Sequence, residues 1–259
     1  KMSSQLLSLM ASEDISSRYL YRCKSNKMGL YIINIDQYGE RTFDYWRENS
    51  AARQLMKLIK QDSEKEKNKM NFSSVTTLFF SGISIAILSP EDLLDFWEFI
   101  ELRRSKGCQI VFDPNYRPAL WASPQKAKDA FEIAYSLSDV VLPGVDDHKN
   151  LYNHESAAEV ASHLEAKGIG EIIIKNGDLE VLISVEGRRT QIGITPVTEV
   201  VDTTSAGDAF NGGYLSARQS GKSVRDAVNY AASVAGCVIQ HKGAIVPKTC
   251  FSTAISPLA

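Results

Sequence analysis

From residue 76 onward the chain repeats one unit, a short apolar run followed by a longer amphipathic stretch, and no other feature restricts its fold as strongly. Residues 76–81, 109–113, 139–142 and 171–175 read as strands, and 181–194 as a short meander. Helices are expected from Ser89-Pro90 to residue 106, from Ser123-Pro124 onward, at 157–167, at 206–220 and at 223–240. Serine followed by proline opens a helix, because the hydroxyl caps a free N–H while proline fits the first turn. Strands alternating with helices predict an α/β fold, a Rossmann-like and mostly parallel sheet covered by helices on both faces. In such sheets ligands bind beyond the carboxyl ends of the strands. With 259 residues, 44% of them hydrophobic, the chain has material for one large core plus an excursion.

The excursion is expected at 29–50, leaving 1–28 and 51–259 for the core. Residues 29–35 and 41–46 are β-rich and flank the glycine-bearing turn at 36–40, so they read as a small hairpin lid. The first twenty residues read as the tail of a helix that starts without a cap. Residues 51–70 favour helix and end in a run of alternating charges at 61–69, the mark of a solvated surface.

Several function classes are disfavoured. A net charge of −2, from 29 basic and 31 acidic residues spread along the chain, gives no footprint for nucleic acid. No apolar run approaches the roughly 18 residues of a membrane helix, and the amino end lacks the order of a signal peptide, so a cytoplasmic protein is expected. The cysteines at 23, 108, 237 and 250 form no CxxC pair and read as reduced thiols. His148, His154, His163 and His241 show no metal-ligand spacing and read as surface or loop residues. Gly221-Lys222-Ser223 copies the end of a P-loop, but serine stands at 216 where the first glycine belongs. It reads instead as a helix terminator followed by a cap.

The segment Asp202 to Asp208 has chemistry in it. Small residues at a helix start leave backbone N–H groups pointing outward, where the helix end favours a phosphate or a developing oxyanion. Asp208, in the first turn of that helix, is placed to accept the proton of an attacking hydroxyl. The plainer alternative makes Asp208 a favourable helix-start residue and Gly207 a turn glycine.

The string Asp-Thr-Thr-Ser-Ala-Gly-Asp-Ala-Phe at 202–210 resembles the carboxy-terminal signature of the ribokinase (PfkB-type) carbohydrate kinases. The resemblance extends over nearly the whole chain, to the ending Lys242-Gly243-Ala244-Ile245-Val246-Pro247. Within the family it is most similar to 2-keto-3-deoxygluconate kinases, through Gly29 to Tyr31, Glu40 to Arg47, Ser81 to Ser84, and Asp113 to Pro118 with Leu120-Trp121 behind it. It implies a ribokinase-like fold, ATP with Mg²⁺, and phosphoryl transfer to a sugar hydroxyl, giving the 6-phosphate of the acid sugar. Asp208 would be the base, with Ser205, Ala206 and Gly207 as catalytic neighbours that also hold phosphate. Tyr31, Tyr45, Trp46, Arg47 and Arg117 would contact the sugar. An acid sugar calls for a fixed cation, and arginine offers a fork of N–H donors to a carboxylate. Tyr45 and Arg47, two apart on a strand, share a face from which Trp46 points away. Asn115, Tyr116, Arg117, Lys175, Asn176, Gly177, Gly243 and Ala244 would line the nucleotide, and the lid would pair with a second copy in a homo-oligomer.

Two departures qualify this. Many members carry Asn-x-x-Glu near Mg²⁺, where this chain has Gly144 and Asp147, so Asp147 is the magnesium candidate, with helix capping as its alternative. Members also begin with a strand and a Gly-Gly-Asp/Asn loop that grip the sugar, and neither stands in these residues. The expectation is a chain truncated at its amino end. The rival readings are a fructokinase or ribokinase acting on a neutral sugar, and an inactive sugar-binding remnant.

Overall fold

The computed structural model describes residues 2–35, 41–64 and 70–254. The expected turn at 36–40 and the second half of the charged run, 65–69, lie outside them. The chain divides into two compact units, Lys1–Thr77 with Ser84–Cys108, and Leu78–Ile83 with Gln109–Ala259.

The first unit opens with α1 (Met2–Ser12), which buries no residue. The lid strands β1 (Leu30–Ile35) and β2 (Arg41–Trp46) pair antiparallel, Tyr31 opposite Tyr45 and Leu30 opposite Trp46. The helix expected at 51–70 is instead a 3₁₀ turn, Ala51–Gln54, leading into α2 (Leu55–Ser63).

β3 (Thr77–Ser81) and α3 (Gly82–Ala86) come next. Gly82 is required by close approach, since a Cβ there would meet the Pro114 carbonyl oxygen at 1.9 Å and Phe131 at 2.8 Å. α4 (Pro90–Ser105) returns to the first unit, opening where Ser-Pro predicts, with Ser89 Oγ accepting from Asp92 N–H at 3.1 Å.

The second unit continues with β4 (Gln109–Asp113), α5 (Pro124–Leu137), β5 (Val140–Val141), α6 (Val145–Tyr152), α7 (Ala157–Glu165), β6 (Glu171–Asn176), β7 (Glu180–Val185), β8 (Arg188–Gly193), α8 (Ala206–Gln219), α9 (Val224–Val238) and α10 (Lys248–Ala254). The sheet order follows the chain, β3-β4-β5-β6-β7-β8. β4, β5 and β6 are parallel because helices connect them, whereas short turns make β6, β7 and β8 antiparallel. The β7–β8 turn uses Glu186 and Gly187, both at positive φ, which matches the twist of a two-residue hairpin.

The alternating side chains of β4 show why both faces are covered. Val111 packs with Ile173, Phe210, Tyr214 and Ala231 on the α8–α9 side. Phe112 turns the other way, its ring 5.5 Å from Phe131 and 5.6 Å from Tyr135 of α5. α8 and α9 approach closely at Gly213, where a Cβ would stand 3.0 Å from Ala231 Cα. The P-loop look-alike behaves as a terminator and cap, Gly221 at φ 79° and Ser223 accepting from Asp226 N–H.

The histidine expectation needs correction. His148 is 1% exposed, held by Tyr135 Oη at 3.1 Å and by His154 Nδ1 at 3.2 Å, with His163 and Tyr152 ringed around it. Burial and the neighbouring His163 and His154 depress it to about 3, so it stays neutral. Sequence spacing looks along one element, and this group is assembled from α5, α6 and α7. All four cysteines are free thiols. No described helix is long and apolar enough to cross a membrane.

Candidate active site

At the carboxyl ends of β4 and β6 a cavity of about 370 Å³ opens against the start of α8. It gathers Asn115, Arg117, Asp147, Lys175, Asn176, Gly177, Ser205, Ala206, Gly207 and Asp208, ten residues that are scattered over 94 positions of sequence. Strand ends converge where helices begin, so the fold concentrates polar groups there.

The loop ahead of α8 has an unusual shape. Ser205, its N-cap, lies in the left-handed region at φ 62° and makes no side-chain cap. A non-glycine residue there costs of order 1 kcal/mol, and the loop is held by its surroundings. Asp202, 8% exposed, supplies much of that support. Its Oδ1 accepts from Thr204 N–H at 2.9 Å and its Oδ2 from Gly243 N–H at 3.0 Å. The first bond closing on the helix runs from Ala209 N–H to Ser205 O, so the N–H groups of Gly207 and Asp208 have no partner within the helix. Anions are favoured in front of them.

Asp208 is pushed up from the ordinary carboxylate range by burial and then by the charge of Asp113, with Lys175 and Arg117 pulling the other way. Asp147 is raised to about 6, again by burial first and Asp113 second. Arg117 Nη1 stands 3.6 Å from Asp147 Oδ1, yet loss of water outweighs that partner. Gly144 is the N-cap of α6 and Asp147 stands three residues on, in the first turn, where a carboxylate also favours the helix start. Asn115 sits at φ 34°, and its Oδ1 is buried without a partner in the protein. A buried orphan acceptor suits a ligand hydroxyl or a metal-bound water.

Lys175 closes β6, its N–H bonded to Pro143 O at 2.9 Å, and Gly177 turns the chain at φ 60°. The Lys175 ammonium donates to Asn211 Oδ1 at 3.0 Å and stands 3.5 Å from Asp113 Oδ2. Sequence reasoning missed Asp113 and Asn211 as site residues. Asp113 ends β4 beside the noted Asn115, and Asn211 falls three residues after Asp208 on one side of α8, so helical spacing was the available signal.

Three of the expected nucleotide residues lie elsewhere. Tyr116 turns into the core at 5% exposure, its ring edge-on to Phe131 of α5. Gly243 and Ala244 do not line the cavity, and Gly243 instead ties its loop to Asp202.

In the lid, Tyr31 and Tyr45 face each other with ring centres 6.1 Å apart, and the Arg47 guanidinium lies over Tyr45 at 4.0 Å. Tyr45 and Arg47 thus share a face as the strand period requires, while Trp46 registers with Leu30 on the other. A cleft of about 500 Å³ beside them is lined by 25–28 and 45–50.

The family model for pfkB family carbohydrate kinases matches residues 1–250. Among individual proteins, the chain is 35% identical over 253 residues to 2-dehydro-3-deoxygluconokinase of Haemophilus influenzae, covering 97% of this chain and 79% of that one. Among solved structures, a PfkB protein from Polaromonas sp. JS666 superposes with a TM-score of 0.76 at 26% identity, over 93% of this chain and 76% of the other. Fructokinase from Vibrio cholerae O395 with fructose, ADP and calcium ion bound gives 0.79 at 22% identity, over 97% and 81%.

Proposed function

The chain belongs to the pfkB family of carbohydrate kinases, and from that premise we propose that it transfers the γ-phosphoryl group of ATP to the 6-hydroxyl of 2-keto-3-deoxygluconate, the compound also called 2-dehydro-3-deoxygluconate. The observation that carries the chemistry is the cavity in which Asp208, the leading N–H groups of α8, Lys175 and Arg117 line one space. The substrate rests on the 2-dehydro-3-deoxygluconokinase relative, whose identity exceeds that of the fructokinase neighbour.

Asp208 takes the proton from the sugar hydroxyl as it attacks phosphorus. Its raised affinity for protons strengthens it as a base, and Lys175 and Arg117 limit the rise. The N–H groups of Gly207 and Asp208 donate to the oxygens of the transferring group, where negative charge gathers. Gly177 brings backbone close to the nucleotide without a side chain in the way. Arg117 after β4 offers the cavity a cation that suits the acid-sugar carboxylate, and on the lid Arg47, its guanidinium 4.0 Å from the Tyr45 ring centre, is a second candidate for that role.

Among the described residues no group of three or more histidine, cysteine or acidic side chains could cage a metal. The oxygen donors present fit Mg²⁺ that arrives on the nucleotide and keeps most of its ligands from phosphate and water, with Asp147 and the orphan Asn115 Oδ1 at hand. Bound there, Mg²⁺ would neutralise phosphate charge.

This reading carries a cytoplasmic location, where ATP is at hand, and a homo-oligomer through the lid. Leu30, Ile32 and Trp46, on the face away from Tyr45 and Arg47, are each more than 40% exposed, a concentration of apolar surface that a second copy would cover.

The test is a coupled ADP assay on ketodeoxygluconate and fructose. We expect turnover on the acid sugar to dominate and Asp208→Asn to abolish it. An Asp208→Asn protein with full turnover would overturn the assignment, and faster turnover on fructose would favour the neutral-sugar reading.

A further inference from the structure

We propose that Asn211 is a positioning residue that holds Lys175 apart from Asp113, keeping the lysine ammonium turned toward the nucleotide phosphates; this rests on the phosphotransfer reading of the same cavity. Asn211 is 2% exposed on α8 and Asp113 3% exposed at the end of β4. The carboxamide spans the gap between two charges from different strands, its Nδ2 donating to Asp113 Oδ2 at 2.7 Å while its Oδ1 accepts from Lys175 Nζ at 3.0 Å. The orientation of the amide is dictated by its partners, because a carboxylate only accepts and an ammonium only donates.

The consequence is a loosened ion pair. Lys175 Nζ and Asp113 Oδ2 stand 3.5 Å apart, within reach of each other's charge yet beyond the roughly 2.7–2.9 Å of a direct charged hydrogen bond. Were the amide gone, nothing in this group would keep the lysine from closing on Asp113, and its charge would be spent inside the protein. With the amide present, one of the three ammonium donors is anchored on Asn211, and Lys175 still lines the cavity. Other side chains do this poorly. An alanine leaves Asp113 short of a donor, and an aspartate sets a second negative charge against it.

A double-mutant cycle on the purified full chain tests this, read by calorimetric ATP binding and by kcat with separate KM values for ATP and sugar. Asn211→Ala is expected to weaken ATP binding about tenfold, the worth of a hydrogen bond to a charged group, with the KM for sugar little changed. Lys175→Met is expected to weaken ATP at least as much, and adding Asn211→Ala to it should then change ATP binding less than twofold, because the residue acts through the lysine. Thermal melts check that each variant folds, and Asn211→Ser, which keeps a donor and an acceptor, replaces alanine if that variant does not. Equal tenfold losses in both backgrounds, or ATP binding unchanged by Asn211→Ala, would overturn the inference while leaving Lys175 in the site. Lys175→Met with unaltered ATP affinity would instead overturn the nucleotide reading of the cavity, and the inference with it.

Discussion

The lid hairpin and the cavity before α8 are stabilised in opposite ways. Around the cavity the organising side chains are sunk in the protein, with Asp113, Asn211 and Asp202 all below 9% exposure and each hydrogen-bonded across elements. In the lid the aromatic residues pair with one another on a two-stranded ribbon, and Tyr31, Tyr45 and Trp46 remain 47%, 44% and 58% exposed. A two-stranded ribbon is marginal by itself. One region is held by buried polar groups bonded across elements, and the other by the pairing of two exposed strands.

That contrast is sharpened or broken by mutation. The largest effect belongs to the cavity: Asp208→Asn should lower kcat by about 10²–10⁴-fold, the usual worth of a positioned base. Its melting temperature should hold or rise, since a partly desolvated charge is removed. A melting temperature that falls together with kcat would make Asp208 structural. Next, Gly82→Ala should destabilise the chain by about 2–4 kcal/mol in denaturant titration, because Pro114 O is backbone and cannot step aside. Normal stability there would show that the packing at the start of α3 is softer than the comparison holds.

On the lid side, Arg47→Ala should raise the KM for ketodeoxygluconate by about ten- to a hundredfold, the cost of losing a charge-assisted contact, with fructose turnover and stability little affected. Equal losses on both sugars would remove the acid-sugar role.

Asp147 gives a pH-dependent test. Its carboxyl is raised to about 6 in the folded chain from an ordinary 3.8, so its buried charge opposes folding at pH above about 6. This penalty fades as pH falls from 6 toward 4, where the folded and then the unfolded form bind the proton. Asp147→Asn should therefore gain of order 1–3 kcal/mol over the parent at pH 7.5, and progressively less in melts taken down to pH 4. A constant difference across that range would refute it. The smallest effect is expected of Trp46→Ala, at most about 0.5 kcal/mol on stability, as for an exposed surface position. If light scattering finds a dimer that this variant dissociates, the lid is the surface that joins two copies.

The site was partly legible before any coordinates. The phosphoryl loop at 202–208, the Asn115–Arg117 loop and Lys175 to Gly177 each carry a local signal, whether a helix start, a turn after a strand, or glycine where the chain reverses. Tyr116 reads as polar because it sits inside a polar motif, whereas its ring packs inward against Phe131, a contact from α5 that the motif does not carry. α6 was overlooked because it begins at Gly144 without a serine or aspartate cap, and its end at Asn153, φ 62°, marks a stop only once the helix is known.

What the sequence by itself determined is most of the order of strands and helices, and the helix starts at Ser89, Ser123 and Ser223. These follow from period, capping and backbone freedom, which act over a few neighbouring residues. What only the tertiary structure decided is which distant groups meet: the Asp113–Asn211–Lys175 bridge, the Asp202 clamp on Gly243, the burial of His148 among aromatic rings, and the raised carboxyls. Burial and charge interaction depend on distance in space, and a chain that brings residue 113 against residue 211 through 98 intervening steps leaves no local trace of doing so.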